Sequence, residues 1–139
     1  MRLTAALSLF AVTALGALPA LADEVWDTNM GEIAWEESRG DDAILRMGDG
    51  DGLLRLIVPG LARDMMGGRG SYTGVWIAAE SDTACVTQMV DPLGSKSDFW
   101  GTFTITFVND GFPSDFAGVY GTCLDTPSMP LQAHARVGN

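Results

Sequence analysis

Lysine is almost missing from this sequence. Lys96 is the only one, and the basic side chains number 8 against 18 acidic ones, giving a formal net charge of −10. Such a chain lacks the basic footprint that holds nucleic-acid phosphates or anionic lipid headgroups, so partners of those two kinds are not expected. Histidine is equally scarce, with His134 standing alone between Gln132 and Arg136 on what reads as a solvated strand face. None of Ser71, Ser114 or Ser128 sits in a G-x-S-x-G context, which argues against a serine–histidine triad. Copper held by His134 with Met65, Met66 or Met89 would need a ligand spacing that the chain does not have. Cysteine is limited to Cys85 and Cys123, with no C-x-x-C pair, so neither a metal nor a cofactor is expected.

Helical periodicity is missing too. Beyond the first residues no ten-residue stretch carries a 3.6 period, and there is no internal repeat, heptad or low-complexity tract. The long apolar run from Leu3 to Leu18 follows Arg2 and precedes Pro19 and Ala20-Leu21-Ala22. A short positive region, an apolar core and an A-x-A site form a signal peptide, residues 1–22, with cleavage expected after Ala22. The run is shorter than the roughly 20 apolar residues a bilayer span needs. No cysteine stands at the cleavage point to take a lipid. The expected product is one soluble domain, residues 23–139, periplasmic or secreted and without membrane insertion after cleavage. Arg2 is the only charged residue lost, so the charge moves from −10 to −11.

Period-two alternation is what the chain does have. Ile33 and Trp35 alternate with Glu32 and Glu36, while Ala43, Leu45 and Met47 alternate with Ile44 and Arg46. Leu54, Leu56 and Val58 form a third apolar face between the Gly48–Gly52 turn and Pro59-Gly60. Ser71 to Ala79 is apolar on both faces, which predicts a central strand. A strand is expected from Cys85 to Val90, then a long one in which Phe99, Gly101, Phe103, Ile105 and Phe107 share a side. Phe116 to Cys123 makes its hairpin partner. The last alternation, Leu131, Ala133, Ala135 and Val137, predicts an edge strand or the strand that closes a barrel. About eight short antiparallel strands fit a β-sandwich or a small β-barrel. Cys85 and Cys123, in an exported domain, predict one disulfide, so their Cα atoms must lie within about 7 Å.

Two calcium-like motifs fail on their own spacing. Asp49-Gly50-Asp51-Gly52 has Leu53 and Gly60 where an EF-hand loop needs oxygen ligands, and Gly67-Gly68-Arg69-Gly70-Ser71 has Tyr72 where a nonapeptide repeat needs aspartate. Arg39-Gly40-Asp41 is ordinary turn chemistry. What remains is a pair of loops, Gly60–Gly70 and Asn109–Phe116, and a tryptophan, Trp100, that leads a ladder of Thr102, Thr104 and Thr106. The binding candidates are therefore Met65, Met66, Arg69, Tyr72, Trp100, Phe112, Asp115 and Phe116. The leading expectation is an acidic, non-enzymatic binding module directed at a basic protein, for instance an inhibitor of an exported lysozyme or protease. Two alternatives accompany it. One is a barrel that holds a small apolar ligand between Trp35, Trp76 and the Phe99 face; the other is a carboxylate hydrolase using Asp110 and Asp115.

Overall fold

The computed structural model describes residues 24–48 and 52–137. The predicted signal peptide and the centre of the predicted Gly48–Gly52 turn lie outside the described residues. Ten strands follow one another: β1 (Val25–Thr28), β2 (Gly31–Arg39), β3 (Asp42–Met47), β4 (Leu54–Val58), β5 (Ser71–Ala78), β6 (Met89–Val90), β7 (Lys96–Ser97), β8 (Phe99–Phe107), β9 (Phe116–Tyr120) and β10 (Met129–Ala135). Eight of them close into an antiparallel barrel in the order β1-β2-β3-β4-β5-β8-β9-β10, while β6 and β7 form a separate ribbon. Each barrel strand pairs with the next along the chain, and β10 returns to β1 through Trp26↔Ala135 and Thr28↔Ala133. Of the two architectures open to the sequence, the protein adopts the barrel.

Parity explains closure. The inward positions are those predicted from alternation: Ile33 and Trp35, Ala43 and Leu45, Leu56 and Val58, Phe103, Ile105 and Phe107, Leu131 and Ala133 all belong to one buried core. Two glycines make room for two large rings. Gly74 lies opposite Phe103 and Gly101 opposite Trp76 in the β5–β8 ladder. A Cβ at Gly74 would meet the Phe103 ring, and one at Gly101 would meet the Trp76 indole. An eight-stranded barrel has an interior just wide enough for side chains or one small ligand, so such large–small alternation decides how much of it is filled.

The sequence expected a strand at Cys85–Val90, and the structure corrects this. Only Met89–Val90 is extended, paired with Lys96–Ser97 outside the barrel. The reason lies in a second small core, where Cys85 and Trp100 pack with Ile57 and Ile77, flanked by Val75, Met89 and Cys123. The segment between β5 and β8 thus crosses the outer wall and covers it. That layer accounts for the two apolar faces of β5. The eighth barrel strand is instead β1, whose four residues, VWDT, are too few to show a period.

The disulfide joins Cys85 to Cys123 with their Cα atoms 5.5 Å apart. It ties the covering segment to the end of β9, as the predicted cross-link requires.

Candidate functional site

The two ends of the barrel differ. At one end meet Glu24, which leads into β1, the β2–β3 turn, the β4–β5 loop and the β8–β9 loop. Leu61, from the β4–β5 loop, is fully buried beneath them. The Arg69 guanidinium, also fully buried, donates to both carboxylate oxygens of Glu24 at 2.9 and 2.6 Å and to the Met65 carbonyl at 2.8 and 3.2 Å. It also stacks over Phe107, 4.9 Å from the ring centre, and over Phe112 at 5.6 Å. Glu24 accepts a further bond from the Ser114 amide, and Trp26 Nε1 donates to the Ser114 carbonyl at 2.9 Å. Below this polar layer Trp26, Tyr72, Phe107 and Phe116 pack edge to face. Every guanidinium nitrogen donates, through four of the five N–H groups, as a buried ion pair requires. This end is sealed.

The other end is open. There the inward alternation runs out between the β1–β2 turn, the β5–β6 segment and the β9–β10 loop, leaving a cavity of about 370 Å³. Its wall is Met47, Leu54, Leu56, Trp76, Ala78, Phe103 and Leu131, and Met30, Met129 and Tyr120 stand at its edge. Trp76 is held in place because its Nε1 donates to the Gly121 carbonyl at 2.8 Å, which turns the ring toward the cavity with its polar atom satisfied. Glu80, Ser81, Asp82, Thr83 and Thr122 supply the polar rim. The volume falls within the ~300–1,000 Å³ of small-molecule sites, and an apolar wall with a few polar groups is their usual composition.

The eight candidates from the sequence divide. Arg69, Tyr72, Trp100 and Phe116 are buried. Trp100 lies on the outer face of β8 beneath the covering segment, its Nε1 donating to the Thr87 carbonyl at 2.7 Å. Met65 and Asp115 are half-buried. Met66 and Phe112 remain open to solvent at 66% and 41% exposure. The two loops do come together, since the Arg69 amide donates to the Asp110 carbonyl at 3.2 Å. Trp100 alone lies apart from this end. Of the residues proposed for a ligand-holding barrel, Trp76 and the inward face of β8, through Phe103, line the cavity. Trp35 is instead buried in the core, its Nε1 donating to Ser38 Oγ.

The titrating groups are shifted by local bonds. Asp115 accepts from the Ala135 amide at 2.7 Å and faces His134 Nδ1 at 3.1 Å. These two bonds, the amide first, hold its carboxyl below the usual range. A glycosidase acid needs the opposite shift. The bonds from Arg63 and then Tyr72 likewise lower Asp64, whereas burial and the Asp64 carboxylate raise the Tyr72 phenol. Among the described residues no three or more His, Cys, Asp or Glu side chains gather as metal ligands.

The sequence did not single out Met30, Met47, Met129, Tyr120, Glu80 or Asp82. Met47 follows from parity. The others stand at strand ends or in loops, where alternation stops and only the closed barrel brings them together. The class the geometry defines is an eight-stranded up-and-down barrel, sealed at one end and open and apolar at the other. Compared with protein-family models, curated proteins and solved structures, the chain finds no match.

Proposed function

We propose that this is an exported, non-catalytic binding protein that takes the apolar part of a small molecule into the open end of its barrel. The supporting observation is the asymmetry of the two ends: one is filled by an aromatic layer and a satisfied ion pair, while the other leaves about 370 Å³ against Trp76, Phe103 and Leu56. Methionines at the edge suit this role, because an unbranched thioether adapts to ligands of different shape. The disulfide fits an oxidising compartment, and the signal-peptide pattern of the first 22 residues supports the periplasm or the cell exterior as that compartment. A neutral fluorescent probe such as N-phenyl-1-naphthylamine should bind one per chain, and Met129→Glu, which sets a charge at the half-exposed edge, should weaken it at least about tenfold. Binding unaffected by Met129→Glu, or no binding, counts against this reading.

A second reading, an inhibitor of a basic exported enzyme, is favoured by one separate observation. The Gly60–Gly70 and Asn109–Phe116 loops converge through the Arg69 amide and the Asp110 carbonyl, and Met66 on one and Phe112 on the other are exposed. It expects a salt-sensitive complex with a cationic lysozyme or protease, weakened by Met66→Asp and Phe112→Asp. A panel of such enzymes that shows no inhibition and no complex at low salt would dispose of it.

A further inference from the structure

Resting on the ligand-binding reading, we infer that the open end selects cationic amphiphiles: an apolar body carrying an amine or quaternary ammonium head. Three features of the cavity lead there. Its rim carries two carboxylates, Glu80 and Asp82, and no Lys or Arg lines it. Neither carboxylate is engaged in a hydrogen bond or ion pair among the described residues. The arginines Arg39, Arg55, Arg63, Arg69 and Arg136 are paired with other acids around the barrel. A cation entering the cavity therefore meets no Lys or Arg in its lining and a chain of formal charge −10, while Arg46, exposed and without an acidic partner among the described residues, stands in an adjoining groove beside Met30, Met47 and Leu54.

The second feature is aromatic. Trp76, Tyr120 and Phe103 share the cavity, and the indole N–H of Trp76 is already taken by Gly121, so its ring brings no free donor to the site. Aromatic faces attract ammonium groups, and quaternary ammonium recognition commonly uses several together. The third is size. At about 30 Å³ per water-sized group, 370 Å³ admits a body of about a dozen non-hydrogen atoms. The acidic loop is not free to swing away, because Cys85 at its end is bonded to Cys123, one residue from Thr122 of the opposite rim.

The test uses three probes with the same ten-carbon chain and different heads: decyltrimethylammonium, decanol and decyl sulfate, each below its micellar concentration, titrated calorimetrically into the mature protein. Decyltrimethylammonium should bind one per chain and about tenfold more tightly than decanol at low salt, with decyl sulfate weakest. Tenfold corresponds to about 1.4 kcal/mol. Glu80→Gln with Asp82→Asn, two exposed positions, should remove most of that preference, and 0.5 M salt should reduce it. Equal affinity for decanol and decyltrimethylammonium, tighter binding of decyl sulfate, or a preference untouched by the double variant overturns the inference while leaving the ligand-binding reading intact. Failure of all three probes to bind overturns both.

Discussion

Arg69 and Glu24 stand 45 residues apart in the chain and meet as a doubly hydrogen-bonded pair inside the closed end of the barrel. Their encounter fixes two things at once. The lead-in to β1 is pinned to the β4–β5 loop, and through the Ser114 amide to the β8–β9 loop. Removing one partner leaves the other charged and dry, which typically costs about 3–5 kcal/mol, whereas replacing both with apolar residues of similar volume is much milder. Glu24→Gln and Arg69→Met should each lower the denaturant midpoint strongly, and Glu24→Leu with Arg69→Met should recover most of the loss. Additive losses in the double variant would show that the two act separately.

Gly118 on β9 has no room for a side chain. A Cβ there would overlap the carbonyl oxygen of Thr104 on the neighbouring β8 strand. Backbone cannot step aside as a side chain can, so Gly118→Ala should cost about 3 kcal/mol or more, at the upper end of overpacking effects. Gly70→Ala is the control, because nothing lies within 4 Å of a Cβ at that position. A Gly118→Ala protein as stable as this control in urea would mean that β8 and β9 are not so close.

The acid limb of the stability curve should depend on Asp64 and Asp115. Both carboxyls have lowered pKa values in the folded protein, Asp64 through Arg63 and Tyr72, Asp115 through the Ala135 amide and His134. A lowered folded value means that the stabilisation is fully present above the unfolded value of about 3.9 and is lost as pH falls below it through the folded value. Urea midpoints measured from pH 6 down to pH 2 should therefore fall steeply below about pH 4. Asp64→Asn with Asp115→Asn should flatten that fall. An unchanged slope would show that neither bond persists in solution.

The disulfide should matter for more than chain entropy. Its two cysteines are 38 residues apart, a loop whose closure is worth ~4 kcal/mol in the chain-entropy account. Cys85 also packs on Trp100. Cys85→Ala with Cys123→Ala should therefore lower stability by about that amount and shift Trp100 fluorescence to the red, as the covering segment loosens. A stability loss without the spectral shift would assign the bond to chain entropy alone.

Much of the barrel could be read from residue parity, because a strand with one face inward repeats every two residues whatever its partners are. The β8 face from Phe99 to Phe107, the β3 and β4 faces and the Cys85–Cys123 link all follow from that rule and from the cysteine count. Other features depend on contacts that no local window contains. β1 becomes a strand only because β2 and β10 flank it. Trp100 breaks its threonine ladder, which fits either a surface platform or a covered position; it is covered, because the β5–β8 segment folds over it and the Thr87 carbonyl, 13 residues earlier, accepts from its Nε1. Met66 and Phe112 could be suspected from the sequence, while Met30 and Met129, at 42% and 39% exposure, meet only at the mouth of the closed barrel.

Methionine provides the most direct test of the ligand-binding account. Met30, Met47 and Met129 border the open end, whereas Met65 and Met66 lie in the β4–β5 loop at the sealed end and Met89 in the outer ribbon. With the methionine methyl groups labelled with carbon-13, methyl NMR resolves these sites while decanol is added to the mature protein. The account predicts saturable shifts at Met30, Met47 and Met129, with Met65, Met66 and Met89 unmoved. Shifts confined to Met65 and Met66, or none at saturating ligand, would contradict it.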